Sequence, residues 1–186
     1  SNHVMANEDS APLVAEFKRQ SLAPVWYGIH GHGARFRPIN VASTETGTSF
    51  TLHGITFTAP IFGTAALNNL LGAITIAVEI GMHIDEIAPL VRDLAAVSHT
   101  MEIKPTANGA LIIDDTYNAN TEGVIAALND LKYVNRAKKV VVFKEVIELG
   151  ERTNEDHIAI AKIMAKTTNY AVLLPSRMRQ LMYSTL

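Results

Sequence analysis

The sequence predicts an α/β protein in two segments, with the change of grammar near residue 97. Three observations carry this. From Arg35 to Ala59, β-branched and aromatic residues fall at alternate positions, the pattern of antiparallel strands. Residues 64–80 and 85–95 then read as two helices, rich in Ala, Leu and Ile. After Thr100 the order becomes strand, helix, strand, helix, strand, which predicts a parallel α/β sheet.

The elements follow in order. "HVMANEDSAPLVAEFKRQ" reads as the end of a short strand, a loop, and a helix from Ala11 with Leu13, Val14 and Phe17 on one face. "PVWYGIH" is a strand, followed by the glycine-rich "GIHGHGARF". "RFRPINV", "SFTLHG" and "ITFTA" are the antiparallel strands, and Pro60 to Gly63 punctuates the chain. Gly81 ends the first long helix, and Asp85 and Glu86 favour the start of the next through the helix dipole. "MEIKP" and "ALIID" are strands joined at Asn108-Gly109, a tight-turn pair. A helix over 121–133 carries Val124, Ala127, Leu128 and Leu131 on one face. "KVVVF" reads as a short buried strand. Thr153 is the expected cap of a helix with Glu155 and Asp156 in its first turn, and "YAVLLP" is a further strand. "SRMRQLMYSTL" stops inside a predicted helix, and the opening runs straight from a strand into a loop, so both ends read as cut.

Composition narrows the function classes. With 48% hydrophobic and 18% charged residues among 186, the chain has the profile of a soluble globular protein with a core. Net charge is -2 without a basic block, which gives nucleic acid no electrostatic footprint. There is no cysteine, so disulfides and thiolate chemistry are excluded, in keeping with a reducing compartment. The longest apolar run, "LLGAITIAVEIG", is broken by Glu79 and Gly81. No secretory signal is visible, so the expected location is the cytoplasm, with no membrane partner.

Chemistry concentrates at two strand ends. Ligands of open parallel sheets gather at the carboxyl ends of the strands. "LIIDDTYNANTEG" places Asp114, Asp115, Tyr117, Asn118 and Asn120 at such an end, before a helix N-terminus. Carboxylates there accept ribose hydroxyls, hold a metal or orient an ammonium. In the competing reading, Asp115 and Asn118 only cap the helix. The next strand end, "FKEVIELGERTNEDH", brings Glu145 and Glu148, expected near the aspartates if the two strands are neighbours. His157 reads as an ordinary first-turn residue. His30 and His32 could share a metal, but no third ligand is identifiable, and no metal site is assigned. The sequence contains no G-x-x-x-x-G-K-[ST] and no G-x-G-x-x-G opening a helix.

These residues resemble a family. "LIIDDTYNANTEGVIAAL", then "VVVFKEVIELGE" and His157, resemble the C-terminal domain of the Mur ligases, in the branch that adds D-alanyl-D-alanine. "MANEDS" is similar to that family's N-A-D-D segment, and "PIFGTAALNNLLGAITIAVEIGMHIDEIA" to its G-R-H-N-x-x-N-A-x-A-A helix and the helix after it. The resemblance implies that residues 1–96 end a central ATPase domain. Residues 97–186 would then begin a Rossmann-like C-terminal ligase domain, itself incomplete. It implies an ATP-dependent, carbon–nitrogen bond-forming ligase of cell-wall peptidoglycan precursors. Such an enzyme activates a UDP-MurNAc-peptide carboxylate as an acyl phosphate for attack by the amine of a dipeptide. ATP and Mg2+ would be the cofactors, and the phosphate loop would lie on a remainder of the ligase chain. Folylpolyglutamate and cyanophycin synthetases fit "DDTYNAN" less well.

By the same resemblance, Asn7 would sit at the adenine and Asn69 is the second asparagine of the H-N-x-x-N helix. Asp115, beside Asp114, is the acid near the nucleotide. Tyr117, Asn118 and Asn120 match the YNAN residues, expected near the incoming dipeptide or the domain interface, and Glu145 and Glu148, from the adjacent strand end, are assigned to the amine with them. The chain also departs from the pattern. Thr64, Ala65 and Ala66 stand where the family has R-H-N, Thr100 stands at the arginine of G-R-[ML]-E, and Lys144-Glu145-Val146 stands at G-D-M. A non-catalytic relative acting as a binding module is therefore the alternative.

Overall fold

A computed structural model describes residues 4–95 and 97–186. The predicted first strand begins at His3 and the first predicted domain ends at Ala96, and both residues lie outside the described ones. The chain forms two compact units, one ending at Val97 and the other running from Ser98 to Leu186.

In the first unit, β1 (Met5–Asn7) leads through helix α1 (Ala11–Arg19) into β2 (Val25–Tyr27), and the two strands pair in parallel. This is a βαβ turn in miniature. It is followed by a meander of β3 (Ile39–Thr44), β4 (Gly47–Leu52) and β5 (Ile55–Ala59), all antiparallel. Residues 35–38 of the predicted "RFRPINV" strand stay outside it. Phe36 instead makes a lone parallel bridge to Tyr27 and is buried. Helices α2 (Thr64–Glu79) and α3 (Ile84–Arg92) complete the unit. Gly81, at φ +109, ends the first as predicted, because side-chain-bearing residues avoid that conformation. A capping box between His83 and Glu86 starts the second.

The alternation of β4 places Phe50 and Leu52 inward, where they meet Phe57, Leu67, Leu71 and Ile74. Phe50 and Phe57 are cross-strand partners whose rings stack at 5.1 Å. Each such buried side chain contributes about 1.5–3 kcal/mol by leaving water.

The second unit opens with a hairpin of β6 (Glu102–Pro105) and β7 (Leu111–Asp114), antiparallel, with Gly109 at φ +80 in the turn that Asn108-Gly109 predicts. Then come α4 (Thr121–Asp130) with a 3-10 turn over Leu131–Tyr133, β8 (Val140–Phe143), and a 3-10 turn over Gly150–Arg152. The unit closes with α5 (Thr153–Thr167), β9 (Tyr170–Leu173) and the short α6 (Arg179–Tyr183). β8 and β9 pair in parallel.

Three expectations need correction. β7 makes the expected hairpin with β6 but does not pair with β8, so among the described residues the predicted three-stranded parallel sheet is two separate pairs. "KVVVF" is not buried. Ile160, Met164 and Leu173 form a core with Val141 and Phe143 on one face of β8–β9, while Val140 and Val142 are 55% and 64% exposed on the other. Thr153 is the first residue of α5 and not its cap, because the preceding 3-10 turn already supplies helical backbone at Arg152. No described helix is long and apolar enough to cross a membrane.

Candidate functional site

The register of the β6–β7 hairpin sets Glu102 directly opposite Asp114. Two like charges facing each other across strands repel. Lys104, one pleat further along, resolves this by placing Nζ 3.0 Å from Glu102 and 2.6 Å from Asp114. Thr116 donates its hydroxyl to Asp114 Oδ1 at 2.7 Å, and His99 Nδ1 lies 2.8 Å from Oδ2. Asp114 is thus bonded on both oxygens. Lys104 first, then Thr116 and His99, hold its carboxyl well below the usual carboxylate range. Glu102 is lowered as well, mainly by the His99 backbone N–H and then by Lys104, whose ammonium is raised in turn. His99, Glu102 and Asp114 are close enough together to suggest a cation site. The Lys104 ammonium bonds both carboxylates there, so these residues do not fit a bound metal.

Asp115 is the contrast. It is half-buried and accepts one hydrogen bond among the described residues, from the Met101 N–H to Oδ1 at 3.1 Å. Burial pushes its carboxyl up, with the neighbouring Asp114 charge adding to the rise and the Met101 bond opposing it. One carboxylate oxygen is left with no bond among the described residues. Tyr117 and Asn118 follow on the surface, with Tyr117 78% exposed, and the Tyr117 N–H donates to the His99 carbonyl at 3.0 Å. Asn120 is the cap of α4, accepting from the Gly123 N–H at 2.7 Å, so the capping role falls to it and not to Asp115 or Asn118.

The segment after β8 reaches this helix start indirectly. Thr121, the first residue of α4, donates to Asp156 of α5 in a buried bond of 2.8 Å, and Arg152 donates to the same carboxylate at 2.9 Å. No bond joins Glu145 or Glu148 to the aspartates. Glu148 is exposed at φ +65, and Glu145 is partly buried. What shapes this loop is His157, a residue the sequence reading set aside. Its side chain is fully buried. Nδ1 lies 2.7 Å from the Thr153 carbonyl and therefore carries the proton, leaving Nε2 to accept the Val146 N–H at 3.1 Å. The imidazole ties the loop to the helix that follows it. The signal available in the sequence was its position, one turn into a helix after a polar loop.

In the first unit, Asn7 Oδ1 accepts the Asp9 N–H at 2.9 Å, and Asn69 is exposed on α2. Its neighbour Asn68 keeps a buried Oδ1 that has no partner among the described residues. Thr64, Ala65 and Ala66 form the first turn of α2. The glycine-rich loop closes over carboxylates. Asp9 accepts the backbone N–H groups of Ile29, His30 and Gly31 at 2.7 to 2.9 Å, and Glu8 accepts that of Gly33 at 3.1 Å. A side chain on Gly31 would collide with Glu8, which explains the glycine. His32 lies against Arg37. The loop is an internal anion cradle, occupied by the protein's own acid.

A hairpin ending in paired acids, followed by the parallel β8–α5–β9 unit, makes the second unit an α/β domain with its polar cluster at a strand end. Residues 100–183 match the sequence profile of the "Mur ligase, glutamate ligase domain". Over these residues the second unit carries a domain of the Mur ligase family. It is 31% identical over 134 residues to the UDP-N-acetylmuramoyl-tripeptide–D-alanyl-D-alanine ligase of Bacillus subtilis (strain 168), an alignment covering 70% of this chain and 29% of that protein. Among solved structures, MurF from Acinetobacter baumannii superposes with a TM-score of 0.84 at 20% identity, over 97% of this chain and 40% of that one. MurF from Thermotoga maritima in complex with ADP gives 0.80 at 19%, over 97% and 42%. At these identities the two structures show the fold. The chain spans less than a third of the length of the curated relative and about 40% of the solved ones.

Proposed function

We propose that the chain is part of an ATP-dependent amide ligase of peptidoglycan precursor synthesis, acting in the cytoplasm. In this reading residues 1–96 end its nucleotide-binding domain, and residues 97–186 begin the domain that receives the incoming amine. The observation that carries the reading is Asp115, a half-buried carboxylate with one oxygen unclaimed, at a strand end in a Mur ligase domain. Such an oxygen suits a ribose hydroxyl of the nucleotide or the ammonium of the incoming amine. Asp114 is a buttress for it, its own oxygens taken by Lys104, His99 and Thr116. Tyr117 and Asn118 offer exposed directional groups beside it, and the His157 tie fixes the loop that presents Glu145 and Glu148. Asn7 and Asn69 are the nucleotide contacts of the first unit. ATP, when bound with Mg2+, supplies the activation of the peptide carboxylate. The magnesium ligands and the phosphate loop belong to sequence outside these 186 residues. The substrates are a UDP-MurNAc-peptide and a dipeptide such as D-alanyl-D-alanine.

The test is a coupled assay on the whole natural protein with ATP, UDP-MurNAc-tripeptide and D-alanyl-D-alanine, reading the amide product by mass. ATP-dependent product, reduced about 10- to 100-fold by Asp115→Asn, is expected. No product above the no-ATP control would sink the reading.

A second reading, a binding module without turnover, has a specific observation behind it: Thr100 and the Thr64–Ala66 turn lack the polar and cationic groups of the family pattern. If the site is only weakened, Thr100→Arg should raise ATP turnover about tenfold, through one recovered charge-assisted bond. An unchanged rate would favour the binding module.

A further inference from the structure

We propose that His99 is the proton acceptor of this site, taking a proton from the ammonium of the incoming amine through Nε2. The inference rests on the ligase reading above and assigns a residue that reading leaves unused. The ring is anchored on one side only. Nδ1 is 2.8 Å from Asp114 Oδ2, and an ionised carboxylate can only accept, so Nδ1 carries a proton and the neutral ring has its lone pair on Nε2. Among the described residues Nε2 has no partner, and the side chain is 54% exposed. The backbone is held as firmly as the ring. The His99 N–H donates to Glu102 at 2.9 Å, its carbonyl accepts from the Tyr117 N–H at 3.0 Å, and its φ of +59 lies in the left-handed region, which these two bonds hold. A carboxylate that fixes the tautomer and aims the free nitrogen is the arrangement by which histidine serves as a base.

The neighbours support the assignment. Glu102 and Asp114 share a single cation, Lys104, and Asp115 adds a third carboxylate next in sequence, so the surroundings attract an ammonium. Glu102 and Asp114 are both bonded to Lys104, and Lys104 already holds its proton. In the step, one ammonium N–H bond breaks towards Nε2, and the freed lone pair attacks the carbonyl carbon of the acyl phosphate. The C–N bond forms, and the C–O bond to phosphate breaks with its electron pair. The departing phosphate takes the second amine proton, and the imidazolium returns the first to water.

His99→Asn separates this role from a structural one. The Asn amide can keep the bond to Asp114, and Asn tolerates the left-handed backbone, so only Nε2 is lost. In the whole natural protein, the expected result is a fall in amide-forming kcat of about 100-fold with KM for D-alanyl-D-alanine changed by less than about threefold. Acyl phosphate trapped as the hydroxamate with hydroxylamine should be unchanged. A kcat within about threefold of wild type, or an equal loss of hydroxamate, overturns the proposal. The second arm uses 15N-histidine spectra of the 186-residue chain. Nε2 of His99 should resonate as a bare nitrogen and shift when D-alanyl-D-alanine is added. Wild type that forms no hydroxamate removes the ligase reading, and the spectra then decide His99 alone: an Nε2 that carries the proton, or that ignores the dipeptide, overturns the assignment.

Discussion

Asp9 and Asp115 both follow a β-strand closely, both sit in polar loops, and the two have opposite fates. Asp9 accepts three backbone N–H groups and organises a loop, whereas Asp115 accepts one and keeps an oxygen unclaimed. A carboxylate whose bonding capacity is spent holds structure, and one whose capacity is left over can hold a ligand. Loop composition does not distinguish them. Counting bonds at each oxygen does.

The comparison breaks most decisively at Asp9. Asp9→Ala strands three backbone donors, and a loss of about 3 kcal/mol in urea unfolding of the first unit is expected. A loss below about 1 kcal/mol would mean water replaces the carboxylate freely and the contrast is false. Next is His157, also fully spent. His157→Ala should cost about 2 kcal/mol in thermal unfolding, by unpairing the buried Val146 N–H and opening a cavity, with faster amide exchange at Val146. Unaltered exchange there would show that the loop does not depend on the imidazole.

The two adjacent aspartates sharpen the same point through pH. Asp114 has its folded carboxyl lowered. Its bonds therefore contribute fully above the unfolded value of about 4, and that stability is lost as pH falls through the folded value. Asp114→Asn should flatten the acid limb of a stability–pH profile. Asp115 is raised, so its carboxyl favours the fold only at low pH and loses that contribution as pH rises through its folded value. Asp115→Asn should leave stability at pH 7 within about 0.5 kcal/mol of wild type, or improve it. A large destabilisation would place Asp115 with Asp9.

Local signals in the sequence predicted local structure well. Asn108-Gly109 gave the β6–β7 turn, Gly81 gave the end of α2, and alternation gave β4 and β5, because each depends on a few adjacent residues. Strand neighbours beyond the hairpin did not follow. "ALIID" and "KVVVF" both read as members of one sheet, yet pairing depends on which edges meet, and β7 meets β6. The candidate site was legible at Asp114 and Asp115 through strand-end logic and family resemblance. Lys104, His99 and Asp9 were not, because their roles arise from contacts across 10 to 22 residues that no spacing announces. His157 was visible but misjudged, since a buried histidine and a first-turn histidine look alike until its two nitrogens find partners.

Glu102 facing Asp114, with Lys104 bonded to both, also bears on how the hairpin avoids mispairing. Ile112 is half exposed and Ile103 and Ile113 only partly covered, so burial alone would tolerate a slipped alignment of these four-residue strands. Slip by two residues in one direction would draw Asp114 away from the ammonium it shares with Glu102 and leave Glu102 facing Ile112. The side chains that buttress the reactive end thus also proofread the pairing. Sequence drift at any of the three would disturb folding fidelity and site geometry in the same stroke.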